Sequence, residues 1–213
     1  MSTVTQIGRL DIGKVSATAA SHPRAFELDA SKGQHITFHR NESTPEHDVE
    51  RYYSLTTCEG KPGDAPALRV PNHWHKHHDE YMSCEEGQIE LHLDGKTIVA
   101  KPGDPVIFIE RRRVHGFNFP EGQRTVLKER TRPTGEFKQR FFEDIFRQGG
   151  GFWGAMRGFA DGDTFLALPG PFRWLDEIYV FVIWMLVRVL HPRTGSVPQS
   201  VAPLVVDESK KGL

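Results

Sequence analysis

Residues 71–104 read PNHWHKHHDEYMSCEEGQIELHLDGKTIVAKPGD, and the second half of this stretch decides the class of fold. Gln88-Ile89-Glu90-Leu91-His92-Leu93 alternates polar and apolar residues, the period of a strand with one buried face. Asp94-Gly95 follows at once, a pair that accepts the positive φ angles of a two-residue hairpin turn. Lys96 to Lys101 then reads as the return strand, and Pro102-Gly103-Asp104 as the next turn. Downstream, Val106-Ile107-Phe108-Ile109 is an apolar run of strand length. Val114 to Phe119 resumes a strand after the charged connection Glu110–Arg113, and Pro120-Glu121-Gly122 turns the chain into Arg124–Arg132. Upstream, His35–His39 and Arg51–Thr57 are rich in strand formers, and the glycines and prolines of Cys58–Pro66 mark a loop. Short strands joined by tight turns at this spacing predict an antiparallel sandwich or barrel. The block does not recur elsewhere in the sequence, so one barrel is expected.

The flanks read differently. Residues 1–34 have weak periodicity and are expected to form an irregular N-terminal arm, with the barrel over 35–133. After Pro133 the period becomes helical: Phe137, Phe141, Phe142, Ile145 and Phe146 share one face, with Lys138, Arg140, Glu143 and Asp144 mostly on the other. Gly149-Gly150-Gly151 ends that helix, and a second is expected from about Trp174 to Leu190. The helical extension thus covers 134–192, and 193–213 reads as a tail. The uncharged run Ile178–Val187 is half the roughly 20 residues a membrane span needs, and Pro169, Pro171 and Pro192 bar its extension. A buried helix is the expectation, with membrane-surface contact by residues 174–190 as the alternative.

Composition narrows the partners. Lys and Arg total 27 against 28 for Asp and Glu, so the chain lacks the basic excess that nucleic-acid binding uses. The two cysteines, Cys58 and Cys84, have no short paired spacing, which argues against a disulfide scaffold or a cysteine-rich zinc site. No apolar leader precedes Lys14, and a cytoplasmic location is expected.

Four of the eleven histidines lie within six positions: His73, His75, His77 and His78. Residues two apart on a strand face the same way, so His73 and His75 can aim at one interior point. His77 is in phase with them and could replace one, although His77 and His78 read better as part of a solvated bend. Glu80 rejoins the interior face, with Met82 and Cys84, only if residues 76–79 form a bend between two strands. His115 arrives on a later strand as a fourth donor. Imidazole with carboxylate suits a first-row divalent ion. Arg111-Arg112-Arg113 reads either as a charged turn or as a rim that captures an anion, and Trp74 and Tyr81 are expected to pack outside the barrel.

The spacing His73-x-His75, four residues, Glu80, six residues, Gly87 resembles the first motif of the cupin superfamily, and the resemblance runs from about Val70 to Phe119. The second motif departs from the pattern: Ile109 and Arg111 stand where a proline and a glycine are usual. His115 also falls one residue late from Gly103, which a one-residue bulge would absorb. The resemblance implies a mainly β chain, a single antiparallel cupin β-barrel (a double-stranded β-helix, or jelly roll), with C-terminal helices packed on it. It implies one divalent metal ion (Fe first, or Mn, Ni, Zn or Cu) held by His73, His75, Glu80 and His115. The substrate would be a small, partly hydrophobic metabolite, and Glu80 would double as a catalytic base. Oxygenase chemistry is the first expectation. A non-oxidative isomerase, cyclase or dehydratase of secondary metabolism is the second, and a ligand-binding cupin without catalysis the third. Barrel edges and apolar helices make a homodimer the expected assembly.

Overall fold

Alternation becomes strand along the whole middle of the chain. The computed structural model describes residues 24–29, 32–63, 66–139, 141, 142, 156, 158, 159, 162–170 and 172–190. In chain order the strands are β1 (Arg24–Asp29), β2 (Gln34–Arg40), β3 (Tyr52–Cys58), β4 (Leu68–Trp74), β5 (Asp79–Glu86) and β6 (Ile89–Leu93). They continue with β7 (Lys96–Ala100), β8 (Ile107–Ile109), β9 (His115–Phe119), β10 (Thr125–Arg132) and β11 (Phe165–Leu166), and then helix α1 (Arg173–Leu190). Two antiparallel sheets form, ordered β1-β2-β3-β10-β5-β8 and β11-β4-β9-β6-β7. The pairings β3–β10 and β4–β9 are long-range crossovers, the mark of a jelly roll, and the sheets are not closed on each other.

The β6–β7 hairpin is regular from Ile89↔Ala100 to Leu93↔Lys96. Its turn places Asp94 at φ 46° and Gly95 at φ 79°, the left-handed pair that the Asp-Gly sequence predicts. Between the sheets lie Met82 and Cys84 from β5, Ile89 and Leu91 from β6, Phe117 and Phe119 from β9, and Leu127 from β10. Each is an alternate residue of its strand. Burying a large apolar side chain contributes about 1.5–3 kcal/mol, so this interior is the main source of the barrel's stability. Glu80, two residues before Met82, and His115, two before Phe117, continue the same inward faces toward one end of the barrel.

Four differences from the sequence reading have physical causes. First, the arm expected over 1–34 contributes β1, which pairs with β2 from Arg24↔Phe38 to Asp29↔Gln34. The six residues Arg24 to Asp29 alternate only over Phe26-Glu27-Leu28, too short a run to mark a strand alone. They become a strand because Phe26 packs with Ile36 and Phe38 in a second apolar cluster. Second, the ladder irregularity at the site lies on β4: Val70 pairs with Phe117 but His73 with His115, so Pro71 and Asn72 together face Gly116. Pro71 supplies no backbone N–H there, which is why the ladder breaks at that point. A Cβ at Gly116 would stand 2.8 Å from the Val70 carbonyl oxygen, so only glycine fits opposite the bulge. Third, α1 is not the buried helix expected: Asp176, Val180 and Val187 are buried, whereas Trp174, Ile178, Phe181, Met185 and Val189 are exposed. Helical geometry turns only one side to the barrel, and the apolar run is longer than that side. No described helix is long and apolar enough to cross a membrane. Fourth, His78 is buried and not solvated.

Of the first predicted helix, residues 137–139, 141 and 142 are helical, and the Gly149–Gly151 stop and the tail lie outside the described residues. Cys58 and Cys84 are not joined in a disulfide, and both are buried within the barrel interior.

Candidate metal centre

β4, the bend after it, β5 and β9 bring one donor atom each from His73, His75, Glu80 and His115 within 4.8 Å of one another, all four residues buried. The strands achieve this in pairs. His73 and His115 are cross-strand partners, with ring centroids 4.3 Å apart. His75 leaves the end of β4 still in phase with His73, and Glu80 enters near the start of β5, opposite Ile109 on β8 and Thr131 on β10. Residues 75–78 form the bend that restores the parity of Glu80, as the spacing required.

Each imidazole is held by its back nitrogen. Nδ1 of His73 donates to the Pro71 carbonyl at 2.8 Å, Nδ1 of His75 to the Asp163 carbonyl at 2.8 Å, and Nδ1 of His115 to the Arg113 carbonyl at 3.0 Å. A carbonyl accepts only, so the ring proton sits on Nδ1 and a neutral ring turns an Nε2 lone pair inward. Nε2 of His75 is 3.0 Å from Glu80 Oε1, and Nε2 of His115 is 2.9 Å from Glu80 Oε2. Both nitrogens and Glu80 Oε2 are buried without a hydrogen-bond partner. Lone pairs facing lone pairs at this distance repel unless a cation lies among them. The donor set therefore fits a divalent transition ion, with outer carbonyls fixing each ring as metal-bound histidines require.

The electrostatics agree. Burial pushes His73 well below the ordinary imidazole range, with His115 and His75 adding to it. Burial likewise lowers His75 to about 4 against the pull of Glu80, so both rings stay neutral at neutral pH. Burial opposes ionisation of Glu80, but the Lys138 ammonium, His75 and His115 hold its carboxyl well below the usual range. His115 moves the other way: burial lowers it, and the Glu80 carboxylate overcomes that and raises it. A proton on His115 is the relief available to this cluster when no metal ion is present.

Three contributors were not visible in the sequence. Lys138, from the helical residues after the barrel, reaches in to donate to Glu80 Oε1 and to pair with Glu129 Oε1. Its helical phase marked it for the polar outer face; the barrel mouth supplies a buried acidic partner on each side instead. Glu129 faces inward on β10 between Leu127 and Thr131, a parity that the alternation of that strand does carry. Burial raises Glu129 against the pull of Lys138, and burial of Lys138 is outweighed by Glu129 and Glu80, which raise it. Asp163, far along the chain, accepts from the Lys76 and His77 backbone N–H groups and from His78 Nδ1. His78 stacks on His75 with centroids 4.0 Å apart, its Nε2 lying 3.6 Å from Glu80 Oε1. His77, by contrast, is exposed and outside the cluster.

The remaining sequence candidates fall outside the centre. Cys84 keeps its proton, its thiol pushed up to about 11 by burial. Arg111 clamps Asp79 through its backbone N–H and its guanidinium, and Arg113 pairs with Asp94, so two of the three rim arginines are engaged in structure. Trp74 does point away from the barrel interior, but it is fully buried under the extension, stacked on Phe165 and donating to Asp176 at 2.8 Å.

Residues 63–127 match the family model described as Cupin domain. The chain is 27% identical over 100 residues to quercetin 2,3-dioxygenase of Bacillus subtilis (strain 168), a match covering 47% of this chain and 26% of that enzyme. The chain thus spans about a quarter of the length of that curated relative. Among solved structures it is similar to KdgF from Halomonas sp., with a TM-score of 0.36 and 20% identity over 47% of this chain and 81% of that one. It is also similar to a predicted oxalate decarboxylase from Thermotoga maritima, with a TM-score of 0.39 and 16% identity over 55% of this chain and 97% of that one.

Proposed function

We propose, from the premise that residues 63–127 match the cupin domain, that the chain is a metal-dependent enzyme acting on a small molecule by oxygenase chemistry, with His73, His75, Glu80 and His115 as metal ligands. The observation that carries this reading is the set of inward Nε2 and carboxylate lone pairs, buried and unpartnered, behind which every ring is locked by a carbonyl. Similarity to a quercetin 2,3-dioxygenase adds support for oxygen chemistry on an aromatic substrate.

A divalent ion bound there would supply Lewis acidity toward a substrate oxygen and, if it is iron, manganese, nickel or copper, redox access to dioxygen. The chain's own residues do the rest. The carbonyls of Pro71, Asp163 and Arg113 fix the imidazole orientations, so no reorganisation is needed when a ligand arrives. Lys138 holds Oε1 of Glu80, leaving Oε2 facing His115 and the centre. Phe117, Met82 and Leu127 lie behind the polar end and exclude water from it. Glu80 and Glu129 bring two carboxylates against one ammonium. With a dication added, the cluster is positive by one, or by two if Glu129 is protonated. A substrate bound as an oxyanion, such as a phenolate or an enolate whose proton has gone to solvent, offsets this excess; Glu80, its carboxyl held well below the usual range, is a ligand there and a poor base, contrary to the role expected from the sequence.

The Lys138–Glu129 pair favours a second reading, a non-oxidative isomerase or cyclase, because it offers proton-handling groups beside the centre whatever the metal. Two measurements test the proposal together: metal content of the purified chain beside His73→Ala, and oxygen uptake with a panel of phenols and enols. Stoichiometric metal lost in the variant, with oxygen consumed, is the expected result. Turnover under strict anaerobiosis would replace the oxygenase by the second reading, and active protein without metal would overturn the oxygenase and favour that second reading as metal-free acid-base chemistry.

A further inference from the structure

The barrel does not complete the centre by itself; a loop about 85 residues beyond the bend holds it. Asp163 makes four contacts there. Its main-chain oxygen accepts from Nδ1 of His75 at 2.8 Å. Its Oδ1 accepts from the Lys76 N–H at 3.0 Å, and its Oδ2 from the His77 N–H at 2.7 Å and from His78 Nδ1 at 2.9 Å. One residue therefore fixes a proposed metal ligand, two consecutive amides of the bend and a second buried imidazole. Asp163 adopts φ 56°, a left-handed conformation that lets carbonyl and carboxylate converge on the same bend and that Asp and Asn tolerate best after glycine.

The loop is itself anchored. Two residues later β11 pairs with β4, Phe165 with Trp74 and Leu166 with His73. The Ala167 N–H donates to the Asn72 carbonyl at 3.0 Å, and buried Asp176 on α1 accepts from both Trp74 Nε1 and the Leu168 N–H. From the other side, the Arg112 N–H donates to the His75 carbonyl at 2.7 Å. His75 is thus the ligand that leaves the sheet, and it is fixed by contacts from outside the ladder. His73 and His115, paired across β4 and β9, take their carbonyls from residues two positions before them on their own segments.

We infer that Asp163 is a positioning residue for the metal centre, through which the extension sets the orientation of His75 and the parity of the bend that delivers Glu80. The inference rests on the metal reading proposed above. Outer partners of metal-bound histidines are worth roughly 10-fold to 100-fold in metal affinity. Asp163→Ala in the full chain removes the carboxylate and strains the left-handed backbone, so Mn(II) affinity is expected to fall by about that factor. Asp163→Asn keeps one acceptor oxygen and tolerates the backbone, and its affinity is expected to lie between the two. The absorption spectrum of bound Co(II) should shift in both variants, because the angle of one imidazole changes. A residue of merely structural importance would lower the melting temperature and leave that spectrum unmoved.

The inference is overturned if the variants that fold bind Mn(II) within a factor of two of the wild type, with its Co(II) spectrum; if Asp163→Ala does not fold, Asp163→Asn decides by that criterion. Wild type and His73→Ala are measured alongside. Wild-type binding that His73→Ala abolishes and Asp163 variants leave intact sinks this inference alone. A wild type that binds neither ion sinks the metal reading, and this inference with it.

Discussion

Replacing Lys138 by methionine should destabilise the metal-free protein and tighten its hold on metal. Methionine keeps the length and the packing of the lysine stem while removing the ammonium. In the wild type that ammonium lies between Glu80, 1% exposed, and Glu129, 11% exposed, and is itself 18% exposed. Removing one partner of a buried ionic cluster costs about 3–5 kcal/mol, because the remaining charge is left in a medium that solvates it poorly. Glu129 can take up a proton, so the lower end applies, and the melting temperature in chelator should drop by about 6–12 °C. A divalent ion compensates Glu80 in the variant as the lysine did before. The loaded protein therefore loses less than the metal-free one, and the difference appears as affinity. If about 1.5–3 kcal/mol is recovered on loading, Mn(II) binds roughly 10-fold to 100-fold tighter than to the wild type. Thermal unfolding with chelator and with excess Mn(II), beside a direct titration, measures both arms. Adding Glu129→Gln should return part of the lost stability, since it removes the second stranded carboxylate. A variant as stable as the wild type in chelator would show that the cluster carries no such charge balance. One that binds Mn(II) more weakly would mean that Lys138 orients Glu80 for the metal and does not compete with it.

His115→Ala should lose Mn(II) by more than the roughly 100-fold that an outer partner is worth, while His77→Ala leaves the affinity unchanged; the same titration compares them. In Gly116→Ala the new Cβ meets the Val70 carbonyl and Asn72 Oδ1, each at 2.8 Å, beside His115. The bulge must shift, costing about 1–3 kcal/mol in urea unfolding and weakening metal binding as well. Asp176→Ala strands the Trp74 indole N–H, the Leu168 N–H and Arg173, and should cost about 3 kcal/mol, readable in calorimetry.

How legible each part was follows from how local its cause is. The β6–β7 hairpin was fully written in its alternation and its Asp-Gly turn, since both are properties of neighbouring residues. His73 and His75 could be paired from parity alone. Glu80 needed a bend to be assumed, and the bend exists, but the reason it holds is Asp163, more than eighty residues away, which no periodicity announces. His78 illustrates the cost of that blindness. Read locally it belongs with His77 on a polar bend; a distant carboxylate and the Phe137 ring, 5.0 Å from it, bury it. Lys138 escapes for the same reason, because helical phase reports the face a residue presents and says nothing of a barrel mouth waiting on that face. α1 departs in the opposite sense: its sequence is apolar over more of its surface than is buried, because a helix lying against one sheet can bury only part of its circumference.

Two of the places where strand regularity fails build the centre; the register shifts at Glu27/Asp29 on β1 and at Val126/Leu127 on β10 involve none of its donors. Unbroken β structure from Leu68 to Glu86 would set Glu80 on the face opposite His73 and His75, since its offset from His75 is odd. The bend over residues 75–78 removes that conflict, and the bulge opposite Gly116 brings His73 level with His115 in place of a neighbour one position off. Each irregularity exposes backbone groups that a ladder would have satisfied, and each is accommodated by a single residue. Asp163 accepts from the bend amides, and Gly116, by its missing side chain, permits the close approach at the bulge. Local order given up and repaired at a single spot is expected where geometry serves chemistry and not stability. That coincidence supports reading the four donors as a built site and not as polar residues that happen to share a barrel end.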